Sequence, residues 1–283
     1  MTQLITTDEQ LRRYLPNAFA TVEGEAPFYE KILPWLEIAE RWMLEQFVGM
    51  DFTETLLAMN DDSPLRLTAC SVVAHEAMMR AIPSLDLVLT PNGFGIVSNQ
   101  NVAPASRDRV VRLINSLEAS RDNAIEQMVS YLFRNEQWYG TPKRHWFTAT
   151  LFPNISMVNL CGITDKRWAN YLSLRLKAID IEQRIAEEYV SPEQMAVLRE
   201  DVMGIDWNFS LTQRLHLQII ERLQTVIVSA LQGNMLNIQS LRDIVDFMRK
   251  NEEHFPEFAG SDTAKLFTPP IFENKKKAHG YWF

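Results

Sequence analysis

The chain has 283 residues and a formal net charge of −8, from 28 basic and 36 acidic side chains. Hydrophobic residues make up 46% and charged residues 23%, a globular composition that excludes a disordered chain. The acidic balance argues against coating the outside of DNA, which needs clustered Lys and Arg, and no apolar run approaches the roughly 18 residues of a membrane span.

In chain order, Met1-Thr2-Gln3-Leu4-Ile5 lacks the basic and apolar regions of a secretory signal, so synthesis in a cytoplasm without a membrane anchor is expected. Thr7-Asp8-Glu9-Gln10 is a capping-box pattern that opens a short helix through Leu15. After a loop at 16–26, a helix is predicted from about Pro27 to Val48, closed by Gly49. Pro34 should kink it or mark its true start. Ser63-Pro64 pairs an N-cap with a proline at the first helical position, and the largely apolar helix that follows should end at Ile82, before Pro83.

Leu85, Leu87 and Leu89 alternate with Asp86 and Val88, Thr90-Pro91-Asn92-Gly93 forms a turn, and Phe94-Gly95-Ile96-Val97 leads away. That pattern predicts a β-hairpin at about 85–98. Ser106 opens a helix to about Arg134, with Val110, Ile114, Leu117, Ile125, Met128 and Leu132 on one stripe. From Asn135 to Ile163 turn signals break the pattern, and 145–151 reads as a short strand. This aromatic-rich stretch (Trp138, Tyr139, Trp146, Phe147, Phe152) marks a boundary between a helical region at 1–134 and a second helical set at 164–255. In that set Thr164 caps a helix through Tyr189, Ser191-Pro192 starts one ending at Gly204, and further helices cover 211–232 and 238–251. From Pro256 an extended C-terminal arm is expected, ending in three lysines and Tyr281-Trp282-Phe283. Three aromatics on a free arm favour docking, on this chain or on a neighbour. No internal repeat at a fixed period is visible. The expected fold is mainly α: a helical bundle with one hairpin and an extended arm.

Catalytic patterns are missing. His75-Glu76 resembles the start of a zinc-protease helix, but Met79 stands where the second His belongs. The other histidines lie too far apart for metal-ligand spacing. Asn92-Gly93-Phe94-Gly95 lacks the Lys-Ser/Thr of a phosphate loop, and no Gly-x-Ser-x-Gly elbow occurs. Carboxylate pairs such as Glu187-Glu188 fit solvated faces. Cys70 and Cys161 read as free thiols in a reducing compartment. No catalytic, cofactor or metal residue is assigned.

The segment LVLTPNGFGIVSNQNVAPASRDRV, preceded by the helix IAERWMLEQFVG, resembles uncharacterised proteins encoded among the virion structural genes of tailed phages and prophages. The first half also looks like the phage head–tail connector (adaptor) family, through Ala39-Glu40 on a helix that ends at Gly49. The resemblance implies a homo-oligomeric ring in the virion neck, contacting the portal and the tail or neck proteins. DNA would pass through its lumen without sequence-specific binding, and no cofactor is needed. Its interface residues are expected to be Leu87, Leu89, Asn92, Phe94, Ile96 and Val97 on the hairpin and Tyr281, Trp282 and Phe283 on the arm. The alternative is a cytoplasmic enzyme or ligand-binding domain whose site forms around His75 and Glu76.

Overall fold

A computed structural model describes residues 4–15, 27–85, 87–90, 93–96, 106–202 and 210–268. They are mainly helical and fall into two compact units, divided between Lys177 and Ala178.

In the first unit, α1 (Asp8–Tyr14) is capped by Thr7, whose hydroxyl accepts from the Gln10 N–H. α2 (Phe28–Met43) buries Ile32, Leu36, Ala39 and Met43, and it starts ahead of Pro34. A π-helical turn, Leu44–Val48, follows directly, and the Gly49 N–H closes it by donating to the Leu44 carbonyl at 2.8 Å. Gly49 has φ +82°, a backbone state costly for any residue with a Cβ. α3 (Met50–Ala58) begins immediately after it. The sequence reading ends the helix at Gly49 and misses α3, because no side-chain cap announces it.

α4 (Pro64–Leu85) is the organising helix and packs against both α2 and the later α5. Val72, Val73, Ala74 and Ala77 are fully buried along it. It runs past the expected stop at Ile82 and takes in Pro83 and Leu85. Pro83 has no N–H to give the carbonyl four residues back, so the last turn forgoes a single helical hydrogen bond and still continues to Leu85. Two four-residue strands, β1 (Leu87–Thr90) and β2 (Gly93–Ile96), pair antiparallel with Leu87 opposite Ile96 and Leu89 opposite Phe94. α5 (Arg107–Leu132) then returns along α4 and buries Leu117, Ile125, Met128 and Leu132.

The stretch at 135–163 is core of the first unit rather than a connection between two regions. Trp138 and Phe147 are fully buried, and Phe47 of the π-turn sits 4.5 Å from Trp168 and 6.4 Å from Phe147 between ring centroids. The Trp138 indole N–H donates to the Val48 carbonyl at 3.1 Å, so the cluster also satisfies an end of the π-turn. The strand expected at 145–151 is absent. α6 (Pro142–Thr148) occupies that place, started by Thr141 as N-cap and Pro142 at the first turn. α7 (Met157–Leu160) completes the unit.

α8 (Arg167–Ile185) runs on into the second unit, ends in another π-turn, Ala186–Val190, and meets Ser191 at φ +75°. α9 (Pro192–Asp201), α10 (Leu211–Leu231) and α11 (Ile238–Lys250) follow. α10 carries a full capping box between Ser210 and Gln213. Leu198, Leu223, Ile227, Leu241, Ile244 and Met248 are fully buried in this unit.

The C-terminal arm expected from Pro256 is not extended over its first part. A 3₁₀ turn (Glu252–His254), α12 (Pro256–Ala259) and α13 (Asp262–Leu266) occupy it. Phe255 and Phe258 are fully buried and pin the segment down, and Ser261 caps α13. Residues 269–283 lie outside the described residues.

Candidate functional site

The least ordinary surface lies where α4 hands over to α5. At the end of α4, Pro83, Ser84 and Leu85 are all exposed. None of the ten residues from Arg107 to Ser116 of α5 is buried, and burial begins only at Leu117. At about 1.5 Å per residue this is roughly 15 Å of helix without a fully buried residue. The apolar stripe read from sequence does not stop there: Val110 and Ile114 are half-buried, and Val111 and Leu113 are each 46% exposed. Arg107, Arg109 and Arg112 are exposed among them and form no ion pair among the described residues. Of the predicted interface residues, Leu87 and Leu89 lie on β1, with Ile96 and Phe94 at the opposing positions of β2. Asn92, Val97, Tyr281, Trp282 and Phe283 lie outside the described residues.

His75 and Glu76 are turned to structural use. Glu76 is buried and holds two guanidinium groups, Arg80 and Arg121, each at 2.7 Å. Arg121, itself buried, also contacts Asp122 at 2.8 Å and Glu118 at 3.4 Å. The other Asp122 oxygen accepts from the Trp168 N–H at 3.4 Å, so the cluster joins α4, α5 and α8. A carboxylate engaged this way is not available as a general base. His75 Nδ1 lies 2.7 Å from the Ser71 carbonyl one turn back, and burial lowers its pKa, favouring the neutral ring. Among the described residues, no group of three or more His, Cys, Asp or Glu side chains is placed to hold a metal ion.

A small polar cavity of about 220 Å³ is lined by residues that include Tyr14, Asp61, Arg66 and Cys70. Its two acidic hydroxyl and thiol groups are made less acidic by the site: burial raises Tyr14 above its usual value and pushes Cys70 up to about 11. A thiol in that state is a poor nucleophile. Both cysteines are free, Cys70 buried and Cys161 half-buried.

In the second unit, buried His216 is held at both nitrogens. Nδ1 is 2.6 Å from Asp201 Oδ2, and Nε2 is 2.8 Å from the His254 carbonyl. Both partners are acceptors, so the ring satisfies both only when both nitrogens carry a proton. Burial alone would lower its pKa, but the Asp201 and His254 hydrogen bonds outweigh burial and the net shift is upward. No sequence signal paired these residues, because His216, Asp201 and His254 come from three separate elements.

No helix among the described residues is long and apolar enough to cross a membrane. No curated protein and no solved structure matches the chain. Residues 24–148, which take in α2 through α6 and with them the exposed end of α5, match the model of a family of unknown function, DUF6712.

Proposed function

We propose that the protein is a non-catalytic structural component of a tailed-phage virion, a connector-type subunit that assembles as a ring at the head–tail junction below the portal. The observation that carries this reading is the exposed end of α5, an apolar and arginine-bearing stretch of helix that follows a pair of short strands in the chain. Surfaces of this kind mark protein–protein contacts. A two-stranded sheet has unpaired edges on both sides, which are templates for strand addition.

Charge supports a second copy as one occupant. Asp62 is exposed just ahead of α4 and Asp51 at the start of α3, while Arg107, Arg109 and Arg112 follow the far end of α4 on the first turns of α5. α4 has 22 residues, about 33 Å at 1.5 Å per residue, so the two patches cannot meet within one first unit. Between copies they attract, and electrostatic complementarity sets register and partner choice. In this role a chain of net charge −8 leaves DNA free to slide through a lumen. The aromatic C-terminus, Tyr281-Trp282-Phe283, is assigned to a neighbouring pocket.

The mass of the protein in solution, alone and mixed with the portal protein encoded nearby, tests the reading. A ring, or a monomer that assembles only on the portal, is expected. The double variant Val111→Asp/Leu113→Asp should assemble at least roughly tenfold less well, because two charges then sit at the centre of the contact. Both positions are exposed, so its monomer should melt as the parent does. A monomer indifferent to the portal overturns the proposal.

A further inference from the structure

The second unit joins three separate stretches of chain at one buried ring. His216, on the second turn of α10, points Nδ1 at the Asp201 carboxylate at the end of α9 and Nε2 at the His254 carbonyl in the 3₁₀ turn (Glu252–His254). His216 is 3% exposed and its ring lies 5.0 Å from that of Phe255, so solvent offers it no substitute partner. Glu257 of α12 stands near enough for its charge to favour the protonated ring. The His254 imidazole is engaged elsewhere, by the Thr212 hydroxyl at 2.9 Å and the Glu253 carboxylate at 3.3 Å. α11 meets the cluster through Phe247, whose ring is 6.2 Å from Phe255 and 5.0 Å from the Arg222 guanidinium of α10.

The two ring contacts are not equal once a proton is lost. A neutral imidazole keeps one N–H, and its other nitrogen becomes an acceptor. Hydrogen bonds to an ionised group are roughly twice as strong as neutral ones. The remaining proton therefore stays on Nδ1, facing the Asp201 carboxylate at 2.6 Å. Nε2 is then a lone pair held 2.8 Å from the His254 carbonyl oxygen, two acceptors with no proton between them. Deprotonation spares α9 and falls on the 3₁₀ turn.

That turn is the root of the C-terminal segment. Beyond it, the Phe258 N–H donates to Gln194 Oε1 at 3.3 Å, and the Thr263 hydroxyl donates to the Glu187 carbonyl at 3.4 Å. Arg249 donates to the Phe267 carbonyl at 2.9 Å, and a guanidinium keeps its charge at any ordinary pH. None of these three bonds responds to the His216 proton. Phe255 and Phe258, both fully buried, keep the segment seated when the His216 contact is lost. The effect of losing it is more frequent local opening at the turn and the start of α12, and not departure of the whole segment.

We infer that His216 is a pH-sensitive latch on the C-terminal segment: it holds the 3₁₀ turn and the start of α12 to α10 while both ring nitrogens are protonated, and lets them loosen through Nε2 when the ring turns neutral. Burial alone would lower the ring's pKa, but the Asp201 and His254 bonds outweigh it and the folded-state value lies above the unfolded one. The latch is therefore fully closed below the unfolded value of about 6.5 and opens as pH rises through the folded one. Residues 269–283 follow this segment directly, so pH sets how firmly the seat of the aromatic C-terminus is held. The latch does not rest on the assembly proposed above.

Amide hydrogen exchange on the full chain tests the latch, measured from about pH 5.5 to about pH 9 with each rate divided by its intrinsic value at that pH. In the parent, protection at 253–259 should fall by about tenfold across the range while α9 keeps its own. In His216→Gln, protection at 253–259 should not vary with pH. Constant protection in the parent overturns the latch, and so does a pH-dependent loss that persists in His216→Gln. Loosening of α9 in place of the turn shows that the proton leaves Nδ1, which overturns the assignment to the C-terminal segment. Should His216→Gln fail to fold, nitrogen NMR of the parent decides: a neutral His216 protonated at Nδ1 supports the latch, and one protonated at Nε2 overturns it.

Discussion

His216 shows how one residue sets a pH dependence. Its folded-state pKa is raised by Asp201 and the His254 carbonyl, against an unfolded value of about 6.5. The folded state therefore binds the proton more tightly than the unfolded state. The resulting stability is fully present below the unfolded pKa and is lost as pH rises through the folded one. The melting-temperature advantage of the parent over His216→Gln should accordingly shrink steadily from about pH 6 upward. A constant difference across that range would show that the ring is not held as an imidazolium. His75 acts in the opposite sense, since burial lowers its pKa and its contribution declines on acidification below the unfolded value. Neither His75 nor Glu76 has the freedom a catalytic group needs. Removing a partner from a buried ion pair costs about 3–5 kcal/mol, and Glu76 is such a partner to Arg121.

At the scale of elements, the two π-turn junctions make a paired prediction. Gly49→Ala places a Cβ 3.2 Å from the Lys143 Cβ at φ +82°, so it should destabilise by about 1–3 kcal/mol. Ser191→Gly relaxes the same backbone state but gives up the hydroxyl that accepts from the Gln194 N–H at 3.1 Å. Glycine replaces a capping residue at a cost of only a few tenths of a kcal/mol, so this variant should be stabilised by about 1 kcal/mol. Urea denaturation of the two variants checks both signs. Sequence made the capped helices legible: Thr7, Ser63-Pro64 and Ser191-Pro192 all announce starts. It hid α3, which has no cap, and the π-turns, whose residues LEQFV and AEEYV carry no periodic mark. α6 was hidden by a different route, because Trp146 and Phe147 suggest a strand where Thr141-Pro142 in fact starts a helix.

For the molecule as a whole, sequence periodicity is silent on the two π-turn junctions, because what they share is a backbone state and a set of buried positions. Few identities accompany them, chiefly Glu40 with Glu182, Glu45 with Glu187, Val48 with Val190 and Leu56 with Leu198. The candidate interface was half legible. The stripe of Val110 and Ile114 on α5 could be read, but that the packed body stops at Leu117 follows only from the tertiary structure. The C-terminal aromatics yield a prediction at this scale. Deleting residues 275–283 should leave the melting temperature of the monomer unchanged and remove assembly, and normal assembly of the truncated chain would rule out a role for the arm.

The π-turns also set where this gene tolerates changes in length. A π-turn holds one residue more than the α-helical path, and Gly49 closes on Leu44 rather than on the residue after it. Losing a single codon within 44–48 or 186–190 would restore a regular helix. It would also rotate everything downstream by about 100° around the axis, since an α-helix has 3.6 residues per turn. Phe47 and Val48 would leave their buried positions, and α3 would start from the wrong side. Surviving insertions and deletions in natural variants should therefore avoid these two five-residue windows and collect in the stretches between helices, where length costs little.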